Sequence, residues 1–110
     1  LNVMTETITY KFIKGVWVPH ARTEYGANKE DAMKYNIVQK WHGEKSKWIN
    51  EFYYIFQLDE SGKTKTEVHL SWAGKEWKID LTVYYIYDDN GQISQILNEN
   101  KQVIVEWFCR

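Results

Sequence analysis

His69, Asp80 and Tyr53 are the residues of this chain whose types and spacing could do chemistry. His69 lies in Val68-His69-Leu70-Ser71-Trp72, Asp80 in Trp77-Lys78-Ile79-Asp80-Leu81, and Tyr53 in Phe52-Tyr53-Tyr54-Ile55-Phe56. These runs carry apolar residues at every second position, the period of an extended strand with one apolar face. Matching the apolar faces pairs Leu70 with Ile79, Val68 with Leu81, Phe52 with Leu70 and Tyr54 with Val68, because a slip by one residue would turn each set to the wrong side. His69 then stands opposite Asp80 on one side and Tyr53 on the other, and such neighbours have Cβ atoms about 4.5–5.5 Å apart. An imidazole oriented by a carboxylate beside a phenol can move a proton on a small carbonyl or hydroxy substrate, as an isomerase, dehydratase or hydrolase-like enzyme would. The same row would equally stabilise a sheet or line an interface.

Other chemistries find less support. His20, His42 and His69 are isolated, with no His-x-His or Cys-x-x-Cys spacing, so no metal site is expected. Cys109 has no basic and acidic residues arranged near it to activate a thiolate. No glycine loop can cradle a phosphate, and no cofactor is expected. Lys40-Trp41-His42 and Lys45 to Trp48 interleave bases with rings, as single-strand binders do, but a helix end and a solvated loop account for them as well.

The elements that position these residues read as follows. Trp77, Ile79, Leu81, Val83, Tyr85 and Tyr87 alternate along a long central strand, and Asp89-Asn90-Gly91 supplies the turn into Ile93 and Leu97. Ile8, Tyr10 and Phe12 mark a first strand; Val16-Trp17-Val18 mark a second that halts at Pro19, with Ala21 to Ala27 extended beyond it. Asn28 reads as an N-cap with Glu30 and Asp31 in the first turn, and Met33, Ile37 and Trp41 form a stripe, so one main helix is expected over about residues 29–42, ended by Gly43. Strands follow at Phe52–Leu58, Val68–Trp72 and Val103–Phe108. The expected class is α+β: a strongly curved antiparallel sheet of about six strands packed on that helix.

The length of 110 residues fits one domain, residues 1–110. Apolar residues at 44% and charged residues at 26% are ordinary for a globular protein, whereas an aromatic share of 16% is high and points to a core or a pocket built of rings. Net charge is −1, so no basic excess calls for nucleic acid or an anionic membrane. A single cysteine rules out an internal disulfide, and no apolar run approaches the roughly 20 residues of a membrane helix. A soluble protein is expected, its compartment open but the cytoplasm favoured. The start at Leu1 rather than Met fits a processed or trimmed N-terminus.

Tyr25-Gly26-Ala27-Asn28-Lys29-Glu30-Asp31-Ala32-Met33 resembles the glycine, Lys-Glu, then helix entry of the nuclear-transport-factor-2-like superfamily, which includes SnoaL-like proteins. Trp72-Ala73-Gly74-Lys75 to Asp88-Asp89-Asn90-Gly91-Gln92-Ile93 resembles its final long hairpin. The resemblance covers about residues 5–100. It implies a cystatin-like cone, often a homodimer and often an apolar pocket. The two opening helices usual in that superfamily have no room before Thr5, so none of its catalytic residues is carried over.

The function these readings favour is non-catalytic. One sheet face would bind a small apolar ligand or a protein partner, with Ile55, Tyr84, Ile86 and Trp107 as ligand or interface residues and a homodimer as the assembly. The alternatives are the acid–base enzyme built on His69, Asp80 and Tyr53, and an inhibitor or immunity-type protein that blocks a partner.

Overall fold

The computed structural model describes residues 2–106. The chain forms eight strands: β1 (Asn2–Ile13), β2 (Val16–Asn28), β3 (Met33–His42), β4 (Lys47–Leu58), β5 (Thr64–Trp72), β6 (Trp77–Tyr87), β7 (Ile93–Leu97) and β8 (Val103–Glu106). They make one antiparallel sheet in the order β1-β2-β3-β4-β5-β6-β7-β8, so every strand pairs with its neighbours in sequence. The fold is all-β, and no helix occurs among the described residues. The α+β class and the main helix are thereby overturned. The resemblance to the nuclear-transport-factor-2-like cone falls with them, since that fold packs helices on its sheet.

The reason lies in signals that helix and strand share. The Asn28 side-chain carbonyl accepts hydrogen bonds from the backbone N–H groups of Glu30 and Asp31 at 3.1 and 3.3 Å. That pattern opens a helix, but it equally closes an Asx turn. Here Ala32 adopts φ 49 and its N–H bonds to the Lys29 carbonyl at 3.3 Å, so the chain reverses. Met33, Ile37 and Trp41 recur every fourth residue, which is also a multiple of two, and all three fall in β3. Tyr35, Ile37 and Val38, aromatic and β-branched, suit a pleated strand.

Three other turns share one design. Asp59, Asp88 and Asn98 each accept two backbone N–H bonds at the second and fourth residues beyond, at 2.9 to 3.0 Å. In each the residue three further on takes positive φ: Gly62 at 88, Gly91 at 79 and Lys101 at 62. At the end of the strands opposite the Asp59 and Asp88 turns, cross-strand ring pairs clamp three hairpins: Phe12–Trp17 at 5.0 Å, Trp41–Trp48 at 5.2 Å and Trp72–Trp77 at 5.1 Å between centroids. Aromatic pairs of this kind each add about 0.5–1.5 kcal/mol beyond their buried area.

Among the described residues no second layer covers the sheet. Among the described apolar side chains Val83 alone is buried, at 6% exposure, and the remaining ring and branched side chains are half-buried or exposed. The aromatic wealth of the sequence therefore builds two rows of rings on opposite faces rather than one sealed core.

Candidate functional site

β-Bulges decide what sits beside His69. Between β5 and β6 the register shifts after His69, which faces Leu81, while Leu70 faces Ile79, so Asp80 is the extra residue of the bulge. Between β4 and β5, His69 faces Tyr54 and Leu70 faces Tyr53. The Leu70–Ile79 pairing stands as expected from the apolar pattern. The pairings of Val68 with Leu81, Phe52 with Leu70 and Tyr54 with Val68 do not: Val68 faces Thr82, Phe52 faces Ser71 and Tyr54 faces His69. A bulge inserts one unpaired residue and changes which faces meet beyond it.

The structure therefore places Tyr53 and His69 on opposite faces of the sheet. On the histidine face, the Tyr54 ring and the imidazole stand nearly perpendicular, 4.9 Å apart between centroids. His69 Nε2 contacts the Glu67 carboxylate, two residues back on the same face. The Tyr85 hydroxyl donates to the other Glu67 oxygen at 3.2 Å. Burial, then the Glu67 carboxylate, push the Tyr85 phenol up to about 12. Tyr85 is thus held as a neutral donor, unsuited to act as a base near neutrality, and Glu67 orients both neighbours. The sequence signal for Glu67 was its position two residues before His69 on the same strand.

On the other face, here the tryptophan face, Tyr53 lies between Tyr35 at 6.0 Å and Trp77 at 5.4 Å. Burial is the main cause that raises its phenol above the ordinary range, with Tyr35 and Glu24 adding to it. Ile55, Tyr84 and Ile86 share this face: Ile55 faces Val68, Val68 faces Thr82, and Thr82, Tyr84 and Ile86 alternate. Lys101 places its ammonium 3.0 Å from the Tyr84 ring centroid. Trp107 lies outside the described residues. A polar relay runs across the same face, in which Arg22 donates to Glu6 at 2.9 Å and to Gln39 at 2.7 Å, and Gln39 donates to Asn50 at 2.8 Å. Glu6 sits below the usual carboxylate range because of the Arg22 hydrogen bond.

Described residues form shallow clefts at the strand ends, and the two that follow do not include His69. One of about 320 Å³ is lined by Ala32, Met33 and Leu58 beside the β2–β3 turn. The other, of about 580 Å³, runs between Trp48 and Trp72 with Lys40, Lys45 and Lys47 around it. Among the described residues no three His, Cys, Asp or Glu side chains gather where they could hold a metal ion. No helix of the described residues is long and apolar enough to cross a membrane.

No protein-family model matches the chain, and no curated protein does. A solved structure does: a crystal structure of a protein with unknown function from Bacteroides fragilis superposes with a TM-score of 0.71, at 15% identity, over 97% of this chain and 89% of that one. At that identity the likeness shows a shared fold along nearly the whole length of this chain.

Proposed function

We propose that this chain is a non-catalytic binding module whose tryptophan face is covered by a protein partner, and that the partner is a second copy. One observation carries the reading: the eight strands form a single layer, so Ile79 and Ile86 stand at 62% and 42% exposure on that face. An antiparallel sheet gains its stability by packing one face on another layer, about 10 Å away. A symmetric copy supplies a matching apolar face, as two-fold dimers do. Exposed apolar side chains in a contiguous patch mark such surfaces. Sedimentation of the whole chain tests it. A dimer is expected, and Ile79→Lys combined with Ile86→Lys should leave a folded monomer. Monomer alone for the unaltered chain at high micromolar concentration would sink the proposal.

A second reading is acid–base chemistry at His69, favoured by the contact of His69 with Glu67 and of Glu67 with Tyr85. Asp80 and Tyr53 have no place in that cluster, so the roles pass to Glu67 and Tyr85. A proton NMR titration of His69 in the chain and in Glu67→Gln tests the coupling. An imidazole whose ionisation is unchanged by the substitution removes this reading.

A further inference from the structure

Beyond the dimer face, we propose that the β1–β2 hairpin tip is a docking element for an anionic lipid surface. β1 and β2 pair from the tip, Ile13 with Val16, down to Asn2 with Asn28, whereas β2 and β3 pair only from Ala21 to Asn28. Residues 10–19 therefore stand clear of the third strand. Phe12, Ile13, Val16 and Trp17 are exposed at 48–66%.

Two features select the occupant. The first is charge. Lys11 and Lys14 flank the apolar tip, and no Asp or Glu occurs from residue 7 to residue 23. At the same end, the β3–β4 and β5–β6 turns and the strand ends beside them add Lys45, Lys47, Lys75 and Lys78 against Glu44 and Glu76, and the β7–β8 turn carries Glu99 and Lys101. The opposite turns carry Glu30, Asp31, Asp59, Glu60, Asp88 and Asp89 against Lys29 and Lys63, with Lys34 and Lys65 at the adjoining strand ends, an acidic excess. An anionic surface attracts the first set and repels the second, which orients the strands with the β1–β2 tip toward it. The second feature is the distribution of apolar groups. Phe12 faces Trp17, Ile13 faces Val16, and adjacent residues of a strand point to opposite faces. Both sides of the tip are thus apolar. A protein groove covers one side of a hairpin, and a soluble polyanion covers neither with hydrocarbon. The interfacial zone of a bilayer encloses both, takes up the indole of Trp17 at the headgroup level, and lets the Lys11 and Lys14 stems reach back to phosphates.

The test is co-sedimentation of the full chain with phosphatidylcholine vesicles, with and without phosphatidylserine. Binding is expected to the anionic vesicles and to fall when salt is raised. Lys11→Gln with Lys14→Gln should weaken it roughly tenfold or more, and Phe12→Ser with Trp17→Ser should weaken it comparably while the circular dichroism spectrum is kept. Trp17→Phe serves as a second variant that preserves the apolar tip. It should still bind, but should lose the part of the fluorescence quenching by brominated lipid that the unaltered chain shows. No binding to anionic vesicles overturns the proposal. So does binding that the Phe12 and Trp17 substitutions leave unchanged, quenching that persists in full in Trp17→Phe, or equal affinity for heparin in solution.

Discussion

At Tyr85 two causes act in one direction: burial of the phenol first, and the carboxylate of Glu67 second. Glu67→Gln should therefore bring the ionisation down from about 12 without returning it to the ordinary 10.0. Ultraviolet absorbance titration, with Tyr85→Phe as the control, reads this. The sign of the stability effect follows from the same shift. A phenol whose folded value lies above its unfolded one contributes stability that is whole below about pH 10 and is lost as pH rises toward about 12. Tyr53 and Tyr87 are raised as well, each mainly by burial, and act in the same sense. Denaturant midpoints should fall across that window, and less steeply in Tyr85→Phe; a flat profile would mean that the phenol is not held as described. His69 was legible in the sequence as a residue that could do chemistry, but its partner was not. The unpaired Asp80 puts Leu81 opposite the imidazole, and alternation of apolar residues carries no mark of where a bulge falls.

Turns and cross-strand contacts set the elements. Gly26 is buried in β2, and Tyr35, its partner on β3, lies where a Cβ would stand. A ring laid over a strand glycine in this way stabilises the pair. Gly26→Ala should displace the ring and cost about 1–3 kcal/mol, measured by denaturant melts; a change within a few tenths of a kilocalorie would show the ring free to move. Gly91 takes φ 79 in the turn built on Asp88. Gly91→Val should cost about 1–2 kcal/mol, since a β-branched residue resists that conformation, and an unchanged melting temperature would place Gly91 elsewhere. This hairpin was legible: Asp89-Asn90-Gly91 between alternating runs led to β6 and β7 with the correct bounds. β3 was not, because its turn chemistry and fourfold spacing satisfy helix and strand alike. What distinguishes them is Tyr35, on the same face as Met33 and Ile37, a position at which a helix would point elsewhere.

For the molecule as a whole, the single layer changes which substitutions matter. Alternation placed Leu81 in a core facing a helix, but it is 38% exposed, whereas Val83 two residues on is buried at 6%. Val83→Ala should cost about 2 kcal/mol. Leu81→Ala should cost less than that, roughly 1 kcal/mol for half-covered methyls. Calorimetric melts of both variants compare them, and a larger loss at Leu81 would show that a further layer covers the histidine face. Composition could not reveal this, because apolar content is the same whether rings meet in one core or spread over two faces. Net charge was equally silent. A value of −1 averages the lysine-bearing turns at one end of the strands with the acidic turns at the other.

The meander order has a consequence in time. Each strand bonds only to the strands before and after it in the chain. Hairpin closures are short, so native contacts can accumulate as fast, local zipping steps during synthesis. The sheet then behaves as a row of coupled units, each steadied by its neighbours, with no distant segment among the described residues to lock the ends. Amide hydrogen exchange should be slowest in β4, β5 and β6 and quicken toward β1 and β8. Opening should thus begin at the two edges, and the strand that frays first at one of them, β1, is the strand that carries half of the exposed hairpin tip.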